Sequence, residues 1–120
     1  MANEITVRPY IKCTNGNASI TIQTSQLSFD QAASGFYHQV ASIGTSEESI
    51  GTFGDVATEG WIYMRNIDAT NYVQWGVATT VYAGRLEAGE VAMFRAEPGL
   101  TLFLKANTAA CKVEILCLED

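Results

Sequence analysis

Apolar and polar positions alternate with period two along most of this chain, and the alternation predicts strands. Residues 4–13 show it cleanly. Ile5, Val7, Pro9, Ile11 and Cys13 fall on one face, and Glu4, Thr6, Arg8, Tyr10 and Lys12 on the other. Successive side chains of a strand point to opposite faces, so one apolar and one wet face marks an antiparallel strand packed on one side. Pro9 has no N–H for the ladder, which predicts an edge strand or a break at Pro9. Asn15-Gly16 follows between two apolar runs, a strong hairpin signal. Residues 18–29 then change phase: Ile20 and Ile22 share one, Leu27 and Phe29 the opposite one. The slip near residues 24–26 predicts a bulge or a corner where the strand changes sheets.

Residues 58–77 (TEGWIYMRNIDATNYVQWGV) carry both tryptophans of the chain and form its predicted centre. Trp61, Ile62, Tyr63 and Met64 make one apolar run; Tyr72, Val73 and Trp75 make another, across a polar connection containing Asp68 and two asparagines. Aromatic and β-branched residues suit a pleated surface, and Asn and Asp suit turns. The segment therefore predicts a hairpin. Alternation groups Trp61 with Tyr63, and Val73 with Trp75. One set belongs to the core; the other faces solvent, a neighbouring subunit or a sugar. Burying one large aromatic removes roughly 150–250 Å² from water, so this unit is expected to nucleate the core.

Elsewhere the signals are shorter. Residues 30–35 read as a connection with room for one helical turn, 36–44 as a strand and 50–54 as a weak strand between glycines. Glu97-Pro98-Gly99 reads as a turn, with Pro pre-setting one dihedral and Gly accepting positive φ. Leu102 and Leu104 share a face. In the closing strand Cys111, Val113, Ile115 and Cys117 share one face, while Leu116 and Leu118 are apolar on the other; cover on both faces, by the protein or by a partner, is implied. No apolar series keeps helical spacing over three turns. Short strands between frequent turns indicate an all-β, single-domain antiparallel β-sandwich over residues 1–120, with about eight or nine strands in two sheets.

Charge narrows the partners. The chain has 13 acidic and 7 basic residues, a formal charge of −6. Scattered basic residues on an acidic chain weigh against nucleic acid, whose binding needs clustered Lys and Arg, and against an anionic membrane surface. The first residues lack the pattern of a secretory signal, and no stretch reaches the roughly 20 apolar residues of a membrane span. The expected site of synthesis is a cytosol. Three cysteines, Cys13, Cys111 and Cys117, read as reduced thiols. Cys111 and Cys117 share a strand face but stand roughly 20 Å apart at about 3.3 Å per residue, too far to bridge.

Chemistry is sparse. His38 is the one histidine, with no second ligand at metal spacing. The serines near it, Ser34 and Ser42, lie in no nucleophile-elbow pattern. Glu47-Glu48 and Glu119-Asp120 are adjacent carboxylates that a strand would point to opposite faces, so neither makes an acid/base pair. The glycine-bearing turns lack the Lys of a phosphate loop. No catalytic residue, metal or cofactor is expected.

Four segments carry a resemblance: residues 60–72 (GWIYMRNIDATNY), 85–94 (RLEAGEVAMF), 97–105 (EPGLTLFLK) and 106–120 (ANTAACKVEILCLED). Together with parts of residues 19–54 they resemble small β-rich virion proteins of tailed bacteriophages. The resemblance rests on turn and core patterns and brings no catalytic residues with it. It implies a jelly-roll-like sandwich working by assembly: a capsid cement or decoration protein of a bacteriophage virion, made in the host bacterial cytoplasm. The implied partners are copies of itself, as a homotrimer, and the major capsid protein or another virion protein. Residues 1–13 are then an arm or edge strand used in assembly, and Ile5, Val7, Pro9, Tyr10, Leu116 and Leu118 are the candidate contacts. On that reading, removal of residues 1–9 abolishes capsid binding and leaves a folded body. The alternative is a tail- or neck-associated recognition module binding glycan through Trp61, Tyr63 and Trp75.

Overall fold

The computed structural model describes residues 3–120; Met1 and Ala2, the start of the expected arm, lie outside the described residues. The described residues are all β, with no helix and twelve strands. They fall into two compact units, one running to Ala32 and the other Ala33–Asp120.

The first unit is built from two antiparallel pairs. β1 (Ile5–Val7) pairs with β4 (Leu27–Phe29), and β2 (Tyr10–Asn15) pairs with β3 (Ala18–Gln23). Pro9 breaks the first predicted strand, and residues 24–26 break the second at the phase slip. Two predicted strands thus become four. Gly16 makes the turn between β2 and β3 at φ +56°, a left-handed conformation that glycine adopts without cost. Ile5 and Val7 are buried, whereas every residue of β2 and β3 is exposed. The apolar face read across residues 5–13 is thus covered only in its first half.

The second unit packs two four-stranded antiparallel sheets on one core. The first sheet, called here the β12 sheet, has the order β10 (Val91–Arg95), β7 (Glu59–Asn66), β12 (Cys111–Glu119), β5 (Phe36–Ile43). The other, the β11 sheet, has the order β6 (Glu48–Ile50), β11 (Leu102–Ala106), β8 (Val73–Gly76), β9 (Gly84–Leu86). Ile62, Met64, Val113, Ile115 and Cys117 from the first sheet meet Val73, Leu86, Leu102 and Leu104 from the second. Period two in β7, β11 and β12 places these residues on one face. Phe53, fully buried between strands, closes the core with Tyr37 edge-on at 5.6 Å.

The expected hairpin between the two tryptophans does not form. β7 pairs with β10 and β12, while β8 pairs with β11 and β9. The polar connection crosses from one sheet to the other. Asn66, fully buried, holds the crossing: its Nδ2 donates to the carbonyls of Asn71 (2.9 Å), Leu86 (3.0 Å) and Glu87 (3.3 Å). Its Oδ1 accepts the Asp68 N–H. Asp68 in turn accepts the N–H groups of Thr70 and Asn71. These asparagine and aspartate bonds shape an arch with the residue types that also make a tight turn. The helical turn allowed for residues 30–35 is absent; that stretch is irregular.

Candidate interaction surface

Strand register sets out the outer face of the β12 sheet residue by residue. One row runs Met93, Tyr63, Leu116, His38; the next runs Val91, Arg65, Glu114, Val40. Towards the other end Arg95 stands opposite Trp61, and Leu118 opposite Phe36. Phe36, Val40, Val91 and Met93 are exposed, Phe36 by 65%. Trp61, Tyr63, Leu116 and Leu118 are half-buried on the same face. The result is an aromatic and aliphatic surface across all four strands. Polar groups interrupt it: His38 Nε2 lies 2.8 Å from Glu114 Oε2, Arg95 donates to Asp120 at 2.6 Å, and Arg65 and Lys112 stand in register on the same face.

The outer face of the β11 sheet differs. Gln74, Arg85 and Lys105 lie in register across it, and Arg85 covers the Tyr72 ring at 4.5 Å. A polar, charged face is the ordinary solvated side of a sheet. A patch of exposed and half-exposed aromatic and aliphatic residues on the outer face of a sheet is characteristic of a contact surface.

The sequence-predicted residues separate accordingly. Leu116, Leu118, Trp61 and Tyr63 come together on the outer face of the β12 sheet. Trp75 does not join them. It points inward and stacks on Phe94, so the platform of three aromatics is reduced to two. Ile5 and Val7 are buried, and Pro9 and Tyr10 are exposed. Phe36, Val40, Val91 and Met93 were missed as surface residues. Their strands carry apolar residues on both faces, and alternation alone does not say which face turns outward.

The pairing of His38 with Glu114 fits a hydrogen-bonded sheet histidine. Among the described residues no group of three or more His, Cys, Asp and Glu side chains is placed to hold a metal ion. The carboxylates that bond elsewhere brace loops. Glu119 accepts from Gly35 (3.0 Å) and Ala57 (2.9 Å), and Glu47 accepts from Thr79 (2.6 Å), Thr80 (2.8 Å) and Tyr82. The Thr79 hydroxyl bond, with help from Tyr82 and the Thr80 N–H, holds the Glu47 carboxyl below its ordinary pKa. Comparison with protein families, with curated proteins and with solved structures found no match to this chain.

Proposed function

We propose that this chain is a non-enzymatic structural protein of a bacteriophage virion, a capsid cement or decoration protein that stabilises the shell through protein–protein contact. The observation that carries the reading is the apolar outer face of the β12 sheet on a body braced by a shared core. An acidic chain, with a formal charge of −6 and no cluster of Lys and Arg, favours a protein partner over nucleic acid or membrane. The partners on this reading are the major capsid protein or another virion protein and further copies of the chain, as a homotrimer, with assembly following synthesis in the host bacterium.

The fold supports the same reading. Numbering the strands of the second unit one to eight from β5 to β12, the sheets run 1-8-3-6 and 2-7-4-5. That order supports a jelly-roll reading, an architecture shared by viral capsid and lectin domains. The architecture alone does not decide the activity.

Binding of the purified chain to capsids stripped of it tests the proposal. Tyr63→Lys and Met93→Lys, which charge the outer face without touching the core, are expected to abolish occupancy while circular dichroism stays unchanged. Undiminished occupancy of both variants overturns the assignment of this face. The second reading, a glycan-binding module, is favoured by one observation: Trp61 and Tyr63 share the outer face. A glycan array on the wild-type chain and on Trp61→Ala and Tyr63→Ala decides it, since binding lost in a variant selects the lectin role.

A further inference from the structure

The hairpin of β2 and β3 presents an unusual surface. It is a six-residue strand, a turn and a second six-residue strand, exposed along its full length on both faces. Register puts Ile11 opposite Ile22 and Cys13 opposite Ile20, so one face is an apolar stripe. Its isoleucines are 56–66% exposed. A two-stranded hairpin with an uncovered apolar face is marginal in water, and a third strand or a packing surface is what stabilises one. The outer edge of β3 adds unpaired backbone groups, on a sequence (ASITIQ) without charge or proline.

The second unit offers a matching edge. β5 lies at the end of the β12 sheet, with β12 as its one strand partner. Its eight residues, FYHQVASI, contain no Lys, Arg, Asp, Glu or Pro. Natural sheets guard long edges with charges, prolines, bulges or shortness. The other edges of this unit follow that rule: β6 and β9 have three residues each, and β10 ends on Arg95. β5 alone is long and unguarded.

Charge selects the occupant. The hairpin, residues 10–23, contains Lys12 and no acidic residue, whereas residues 33–120 contain 11 acidic and 5 basic residues. The acids also flank β5. Glu119 accepts from Gly35 just before the strand, and Glu48 accepts from Gly44 just after it. Arg8 is the one charged residue in a cleft of about 450 Å³ at the base of the hairpin. An apolar hairpin whose one charge is Lys12 and an uncharged edge between carboxylates are complementary.

We infer that the β2–β3 hairpin of one copy adds to the β5 edge of a second copy, β3 beside β5, extending the β12 sheet to six strands. Main-chain hydrogen bonds join the strands, and the isoleucine stripe gains a neighbouring sheet. Each copy gives one hairpin and receives one, so the contacts close as a reciprocal pair or a ring. This inference concerns assembly in solution and stands apart from the virion role.

Light scattering on the purified full chain, with Gln39→Lys and Ile20→Lys as variants, tests it. Gln39 lies mid-edge on β5 and away from the outer face used above; Ile20 lies on the stripe. Wild type is expected to form a dimer or ring, and each variant to run as a monomer with unchanged circular dichroism. A second measurement covers misfolding. A Cys13→Ser chain carrying Ile22→Cys is mixed with one carrying Cys13→Ser and Val40→Cys, and mild oxidation is expected to give a disulfide-linked heterodimer. A wild-type chain that is monomeric at all concentrations overturns the inference, as does an assembly that both charged variants leave intact. Capsid binding by an obligate monomer would sink this inference and the homotrimer, and leave the capsid-binding role standing.

Discussion

Trp75 and Phe94 stack with their ring centroids 5.4 Å apart and their planes 7° from parallel. One ring comes from β8 and the other from β10, so the pair ties the two sheets together at a point where no backbone bond does. Stacked aromatics contribute beyond the area they bury. Trp75→Ala is expected to lower stability by about 3 kcal/mol, the lower end of the range for large-to-small core changes because the ring is half-buried. Met93→Ala, on the exposed outer face, is expected to change it by less than about 0.5 kcal/mol. Denaturant unfolding of the two variants checks the contrast; equal effects would show that the stack does not join the sheets.

Asn66 makes a second junction. Its amide serves three carbonyls of the arch and of the β9 end. Asn66→Ala strands those buried acceptors and is expected to cost about 2–3 kcal/mol. Asn66→Asp removes the donors and adds a charge in a fully buried position, so it is expected to cost more. A smaller loss for Asp than for Ala would contradict the assigned amide orientation.

Acid is expected to loosen the loops before the core. Glu47 sits below its ordinary value of 4.5, held by the bonds from Thr79, Tyr82 and Thr80. Asp68 sits below 3.8, held by the Asn71 and Thr70 N–H groups. A depressed carboxyl binds fewer protons folded than unfolded, so its contribution is present above the ordinary value and fades as pH falls through the lowered one. Amide exchange at residues 78–83 and 68–71 is therefore expected to accelerate below about pH 4, with core strands still protected. Glu47→Gln should remove the acid dependence at residues 78–83 alone.

Thiol reactivity should separate the cysteines. Burial, reinforced by the Glu59 charge, pushes Cys117 up to about 11, and burial raises Cys111 as well. Cys13 is exposed. Thiolates are the reacting species, so Ellman's reagent at neutral pH is expected to titrate one thiol in the native chain and three in guanidinium. A raised thiol binds its proton longer in the folded state, so stability is full below the ordinary value of 9.0 and declines as pH climbs towards 11. Cys117→Ala should flatten that alkaline decline.

Much of the strand pattern was legible because burial is written at period two. Cys111, Val113, Ile115 and Cys117 form one buried face of β12 as alternation requires. Pro9 breaks its strand, and Gly99 takes φ +88° with Leu100 N–H bonded to the Glu97 carbonyl, as the Pro-Gly turn predicts. The pairing of strands was less legible. Trp61 and Trp75 lie on strands joined by a connection whose Asn and Asp residues serve a hairpin or an arch equally well. Long-range partners decided between them: β10 and β12 took up both edges of β7.

The surface was harder still to read. Ile11 and Ile22 show the same alternation as Ile115 and Val113, yet the first pair is exposed and the second buried. Alternation identifies an apolar face but says nothing of what lies opposite it. The outer face of the β12 sheet was legible only in pieces, through Leu116, Leu118, Trp61 and Tyr63, for the same reason. Phe36, Tyr63, Met93 and Leu116 come from four strands distant in the chain, and only the register assembles them.

The position of β12 has a consequence for how the protein is made. It follows every other described strand in chain order, yet it lies between β7 and β5 in the middle of its sheet. During translation those two strands emerge early and stay apart, with no ladder between them. The sheet can zip shut only after residue 119 clears the ribosome tunnel, so the nascent chain must remain soluble as an open half-structure. Non-local closure of this kind is slow, and it leaves the inner edges of β5 and β7 open until β12 arrives.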